Sequence, residues 1–262
     1  MSELKIEIMI DRQSYSQEQL ELIQFEREKH VLHEMTYLGA DIKDGGKTLS
    51  YDDINYLSKT DAKRVLGNAK LELGAKGLTE LYKERLRRSA QMWKDIIKEY
   101  VDGEPFQEAI TRVKVTGITI EEFQKSMMKS MDDEASVLSA NPEHLGFAYR
   151  ETGEALIGIE TMGMYGNPVE AVITSDPNVT LPIKTEEDGF RLMMAGHCKL
   201  SDGTDTHVIA AHQVKPNENG FELKLMVFFP QSTPKELVDG HKIHLALEFL
   251  DALQTAYKEK LS

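Results

Sequence analysis

Apolar positions follow one period in the first part of the chain and another in the second. Up to residue 105 they recur at helical spacing among many charges. Residues 17–36 carry Leu20, Ile23, Leu32 and Met35 in this way, and a second helix over 59–73 starts beside Ser58 or Thr60 as cap. The clearest helix is 78–101, where Leu78, Leu81, Tyr82, Leu86, Trp93, Ile96, Ile97 and Tyr100 fall close to the 3.6-residue period. Gly45-Gly46 and Asp102-Gly-Glu-Pro105 read as loops.

Beyond residue 105 the signals become mainly β. Residues 111–115 alternate as a short strand. Thr119, with Glu122 three residues later, opens a helix carrying Phe123, Met127 and Met131. Residues 145–151, 154–164 and 169–174 are strand candidates separated by Gly and Pro. The runs 190–200 and 205–215 flank Ser201-Asp-Gly-Thr204, a hairpin signal, and Asn217-Glu-Asn-Gly220 turns into a further strand at 221–229. A Leu-rich helix over 235–259 follows Pro234. The expected fold is α+β: a curved antiparallel sheet wrapped on a long C-terminal helix, the helix-grip (START-like) arrangement, which encloses a cavity. Residues 106–262 would form that domain and 1–105 a mainly helical N-terminal region.

Composition narrows the partners. A net charge of −13 argues against nucleic acid and anionic membranes, which want clustered Lys and Arg. No apolar run is long enough for a membrane span, and the N-terminus lacks the apolar core of a signal peptide. Cys198 is the only cysteine, so no internal disulfide can form. A cytoplasmic protein is expected, and any metal would be held by His, Asp or Glu.

The candidate chemistry starts from His241-Lys-Ile-His244-Leu-Ala-Leu-Glu248. His244 and Glu248 stand at i and i+4 on the last helix, half of a common metal site or a plain surface pair. In a helix-grip fold the stripe Leu237, His241, His244 or Leu245, Glu248 and Ala252 faces the cavity. His212 lies in the apolar run His207-Val-Ile-Ala-Ala-His212, as catalyst or as structural histidine. A two-residue turn at Asp202-Gly203 places His197 opposite Val208, on the same face as His212, with Cys198 and His207 on the other. Glu160 is a carboxylate in an apolar strand, which suggests ligation unless it alternates to face water. His144 sits at a loop-to-strand junction, with Glu143, Glu151 and Glu154 as substitutes nearby. His30 and His33 read as surface. The methionines Met127, Met128, Met131, Met162, Met164, Met193 and Met194 read as core or pocket walls.

The succession His144, Glu160, His212-Gln, Gly220-Phe-Glu-Leu-Lys-Leu-Met-Val-Phe-Phe229 and His244-x-x-x-Glu248 resembles the 2,4-diacetylphloroglucinol hydrolase and phloretin hydrolase family. The resemblance covers residues 111–262. It implies a helix-grip domain, zinc (or another divalent transition metal) held by His144, Glu160, His244 and Glu248, and His212 as the catalytic histidine beside it. It implies hydrolysis of a carbon–carbon bond next to a carbonyl in an acylated phenol or diketone-like compound. Phe228, Phe229, Met164 and Tyr149 would then meet an apolar or phenolic small molecule. Phe228 and Phe229 stand where that family offers a phenolic hydroxyl. Two other readings compete. One is a metal-free module binding an apolar small molecule. The other is an oligomeric structural protein, such as a homodimer, packing through the 78–101 helix.

Overall fold

The structure is a computed structural model and describes residues 3–149, 156–174 and 180–262. In chain order its elements are β1 (Lys5–Ile10), β2 (Gln13–Tyr15), α1 (Gln17–Tyr37), β3 (Lys43–Asp44), β4 (Lys47–Thr48), α2 (Tyr51–Asn55), α3 (Lys59–Lys98), β5 (Gln107–Thr116), α4 (Ile120–Met131) and α5 (Glu134–Ala140). There follow β6 (His144–Tyr149), β7 (Leu156–Glu160), a 3-10 turn (Met162–Met164), β8 (Val169–Thr174), β9 (Glu186–Glu187), β10 (Phe190–Leu200), β11 (Asp205–Asn217), β12 (Gly220–Phe229) and α6 (Lys235–Leu261). The fold is α+β, built on a large antiparallel sheet and a long C-terminal helix.

The main sheet runs β2-β1-β5-β12-β11-β10-β8-β7-β6, with β9 on β10. One face packs on α6: Val113, Val115, Leu223, Leu225 and Val227 meet Leu245, Phe249, Leu250 and Leu253 in one core. Ile209, Ala211, Met226 and Phe228 form a smaller cluster apart from it. The helical region has a core of its own, in which Leu32, Met35, Val65, Leu78 and Tyr82 meet Leu145 and Ile159 of the β6–β7 edge. The N-terminal region, expected to be mainly helical, begins with a strand. Ile6, Ile8 and Ile10 alternate, and β1 pairs with β5 from Lys5↔Thr116 to Ile10↔Thr111, so sheet hydrogen bonds tie the N-terminal stretch to residues beyond 105.

Local signals act as expected at several helix starts. Ser58 accepts from the Asp61 N–H, and Thr119 and Glu122 form a reciprocal capping box. α3 is broken at Gly74, whose φ of 61° separates the two helices expected over 59–73 and 78–101. Trp93 and Ile96 are covered by this chain itself, Trp93 against Phe229.

Two expectations about the sheet are corrected. The strand over 154–164 ends at Glu160, because the chain turns through Met162–Met164 with Gly163 at φ 79° and Met164 at φ 62°. The β10–β11 hairpin carries a bulge between Cys198 and Lys199, so His197 pairs with Ile209 rather than Val208. That one-residue slip exchanges faces. His212 lies opposite Met194 and shares its face with Gly196 and Cys198, while His197 is on the other face.

Candidate metal centre

His144 and Glu160 are partners in the β6–β7 hairpin, so strand register alone brings them side by side. α6 brings His244 over them. The donor atoms of these three residues lie within 4.8 Å of one another, and all three side chains are buried. Nε2 of His144 is 3.7 Å and Nε2 of His244 is 4.0 Å from Glu160 Oε2. Glu248, one helical turn on, places Oε2 3.9 Å from His244 Nε2, with its side chain 37% exposed toward the cavity.

The outer nitrogens decide what the inner ones can do. The Nδ1–H of His144 donates to the Val137 carbonyl at 2.9 Å, and the Nδ1–H of His244 donates to Glu143 Oε2 at 3.1 Å. Both imidazoles therefore turn Nε2 toward Glu160, and once the ring is neutral that is the nitrogen left bare, the tautomer that a metal ligand requires. Glu143 is fully buried. It pairs with Arg27 of α1 and accepts the backbone N–H groups of Gly163 (2.7 Å) and Met164 (2.9 Å) and the Thr161 hydroxyl (3.3 Å). Glu143 thus sits behind His244 and apart from the three converging donor groups. Glu151 and Glu154 lie outside the described residues.

Burial opposes charge throughout this cluster. It raises Glu160 to about 7, and His244 pulls against that rise. It raises Glu248 and drives His144 well below its ordinary value. For His244 burial also disfavours the charged ring, but Glu143, Glu160 and Glu248 outweigh it and hold its pKa up at about 9. Glu143 stays below the usual carboxylate range because His244 and Arg27 offset its burial. A cluster this crowded with donors and this short of charge compensation fits a divalent cation: two imidazole nitrogens and two carboxylates suit zinc, among other transition ions.

No protein-family model matches the chain, and no curated protein matches it either. The chemistry of the site therefore carries the functional argument.

The cluster opens into a cavity of about 320 Å³ walled by Met127, Met131, Met162, Met194, Val227 and Phe249, with His212 and His241 on its surface. Of the expected helix stripe, His241, His244, Leu245, Glu248 and Ala252 line it, whereas Leu237 is buried in the main core. His212 has a fixed polarity. The Met226 backbone N–H donates to its Nδ1 at 3.1 Å, and burial lowers its pKa to about 4. The neutral ring therefore carries its proton on Nε2 and can act as a hydrogen-bond donor, a narrower role than general acid or base.

Three sequence-based wall residues lie elsewhere. Phe228 belongs to the cluster with Ile209 and Ala211 and packs on Phe106, because it pairs with Ile209 on the face away from His212. Phe229 packs between Trp93 and His241 in the core. Met164 contributes its backbone N–H to Glu143 while Met162 reaches the cavity. The side chain of Tyr149 lies outside the described residues. His30 is exposed and His33 half-buried against Tyr51.

Proposed function

We propose that this chain is a metal-dependent hydrolase of helix-grip architecture that cleaves a carbon–carbon bond next to a carbonyl in an acylated phenol or diketone-like compound. The observation that carries the reading is the paired orientation of His144 and His244. Each has its Nδ1–H committed to an acceptor, and each turns Nε2 toward Glu160 at the mouth of an apolar cavity.

His144, Glu160 and His244 would hold the ion, with Glu248 as fourth donor. A divalent cation there supplies Lewis-acid polarisation of a carbonyl oxygen and makes water more acidic. The chain's own residues do the rest. The methionines, Val227 and Phe249 receive the apolar body of the substrate and exclude bulk water. The Nε2–H of His212 donates to a substrate oxygen where negative charge develops, without giving up its proton, since a neutral imidazole is far too weak an acid. In the net reaction water's oxygen bonds to the carbonyl carbon, the carbon–carbon bond breaks, and the leaving carbon takes a proton. The products are a carboxylic acid and the deacylated compound.

The test is metal content of the purified protein beside a His244→Ala, Glu248→Ala double variant. About one zinc or other transition ion per chain, lost in the variant, is expected, followed by release of carboxylic acid from acylated phenols or diketones. No metal in the wild type after incubation with zinc would leave the alternative, a metal-free cavity that carries an apolar small molecule. The apolar walls favour that second reading. Among the described residues no helix is long and apolar enough to cross a membrane, and a cytoplasmic setting belongs to the same proposal.

A further inference from the structure

We propose that Arg27 and Glu143 are positioning residues of the metal centre: the α1 guanidinium anchors the Glu143 carboxylate, which fixes the tautomer and orientation of His244. This rests on the metal reading above and gives the helical N-terminal region a part in it.

Glu143 is fully buried, and a buried carboxylate is strongly disfavoured unless it is paired and hydrogen-bonded. Its two oxygens are used differently. Oε1 takes Arg27. Oε2 faces the Gly163 and Met164 N–H groups, the Thr161 hydroxyl and His244 Nδ1. So many donors around one oxygen call for an anion, and Arg27 is a permanently charged side chain in contact with that carboxylate, on the oxygen that His244 does not use. The two ligand histidines thus differ behind the ring. His144 donates to a neutral carbonyl, and His244 donates to a charged carboxylate, which makes His244 the more electron-rich donor. Removing Arg27 leaves the buried Glu143 carboxylate without its Oε1 anchor and free to turn. That turn withdraws the acceptor that orients His244 through Nδ1.

The probes are cobalt(II) and zinc(II) added to the metal-free full chain, with a chelator as competitor and the cobalt visible bands as a signature of ligand geometry. The variants are Arg27→Met, Arg27→Lys and Glu143→Gln. Arg85→Met serves as control, because it breaks another ion pair of α1, with Glu34, away from the cluster. Arg27→Met and Glu143→Gln are expected to weaken metal binding about 10- to 100-fold and to shift the cobalt bands. Arg27→Lys should recover most of both, and Arg85→Met should keep wild-type affinity and bands whatever it does to the melting temperature. Wild-type affinity and bands in both Arg27→Met and Glu143→Gln would overturn the proposal. Should Glu143→Gln not fold, the Arg27→Met and Arg27→Lys pair decides by itself. A wild-type chain that binds neither ion overturns the metal reading itself, which is a different outcome from variants that bind as the wild type does.

Discussion

Replacing Lys70 by Met tests how the elbow that carries Glu143 and His144 is held. Lys70 is fully buried, and its Nζ donates to the carbonyls of Leu138 (3.0 Å), Asn141 (3.3 Å) and Pro142 (3.1 Å), where α5 ends and the chain bends into β6. Desolvation lowers its pKa from 10.5 to about 7, against the pull of Glu28 and Glu143. At 1.36 kcal/mol per pH unit, keeping the ammonium charged inside the fold costs roughly 5 kcal/mol below pH 7. The methionine variant loses that cost. It also leaves the Leu138 and Pro142 carbonyls without their donor, at about 1–3 kcal/mol each. The two effects nearly cancel near neutrality, so stability at a single pH says little.

The slope with pH is decisive. A lysine whose folded pKa is depressed destabilises the fold fully below that value, and the penalty fades as pH rises toward the unfolded value. The stability of the wild type relative to Lys70→Met should therefore climb between about pH 7 and 10.5. Glu28, itself raised to about 7 by burial, loses a neighbouring cation in the variant and adds to the climb. Urea unfolding of both metal-free proteins at several pH values from 6 to 10 measures it. A difference that stays flat or falls across that window would refute the buried-ammonium argument.

Other outcomes follow from the same geometry. Nitrogen NMR of the imidazoles should find His212 neutral and protonated on Nε2 from pH 6 to 8, and a proton on Nδ1 would remove its role as donor to substrate. Metal affinity should rise with pH, because Glu160 at about 7 and His244 at about 9 must both lose protons to ligate. Calorimetry in two buffers should count about two protons released per ion at pH 6 and about one at pH 8, whereas a pH-independent affinity would contradict this ligand pair. Gly240→Ala should cost on the order of 3 kcal/mol. Its Cβ would sit 2.2 Å from the Gly163 carbonyl oxygen, so α6 must move off the turn that holds Glu143. A melting temperature equal to the wild type's would show that contact to be loose.

What could be read from the chain divides by the range of the interaction. Spacing within one element is local, so the bounds of β8 and β10, the cap at Thr119 and the His244–Glu248 stripe were all legible. Faces depend on register, and register depends on a bulge that no alternation pattern announces. The slip at Cys198 and Lys199 was enough to put His197 and His212 on opposite faces.

Glu143 shows the harder case. In the sequence it is a second-rate substitute ligand beside His144, and nothing nearby distinguishes it. Its role comes from an arginine 116 residues earlier, a histidine 101 residues later and two backbone N–H groups exposed by a positive-φ turn. A ligand histidine is recognisable from its own neighbours, but the group behind it is chosen by the packing of three separate elements. The outer shell of such a centre is therefore where the fold adds most to the sequence. It is also where a helical region with no motif of its own acquires a chemical reason to pack against the sheet.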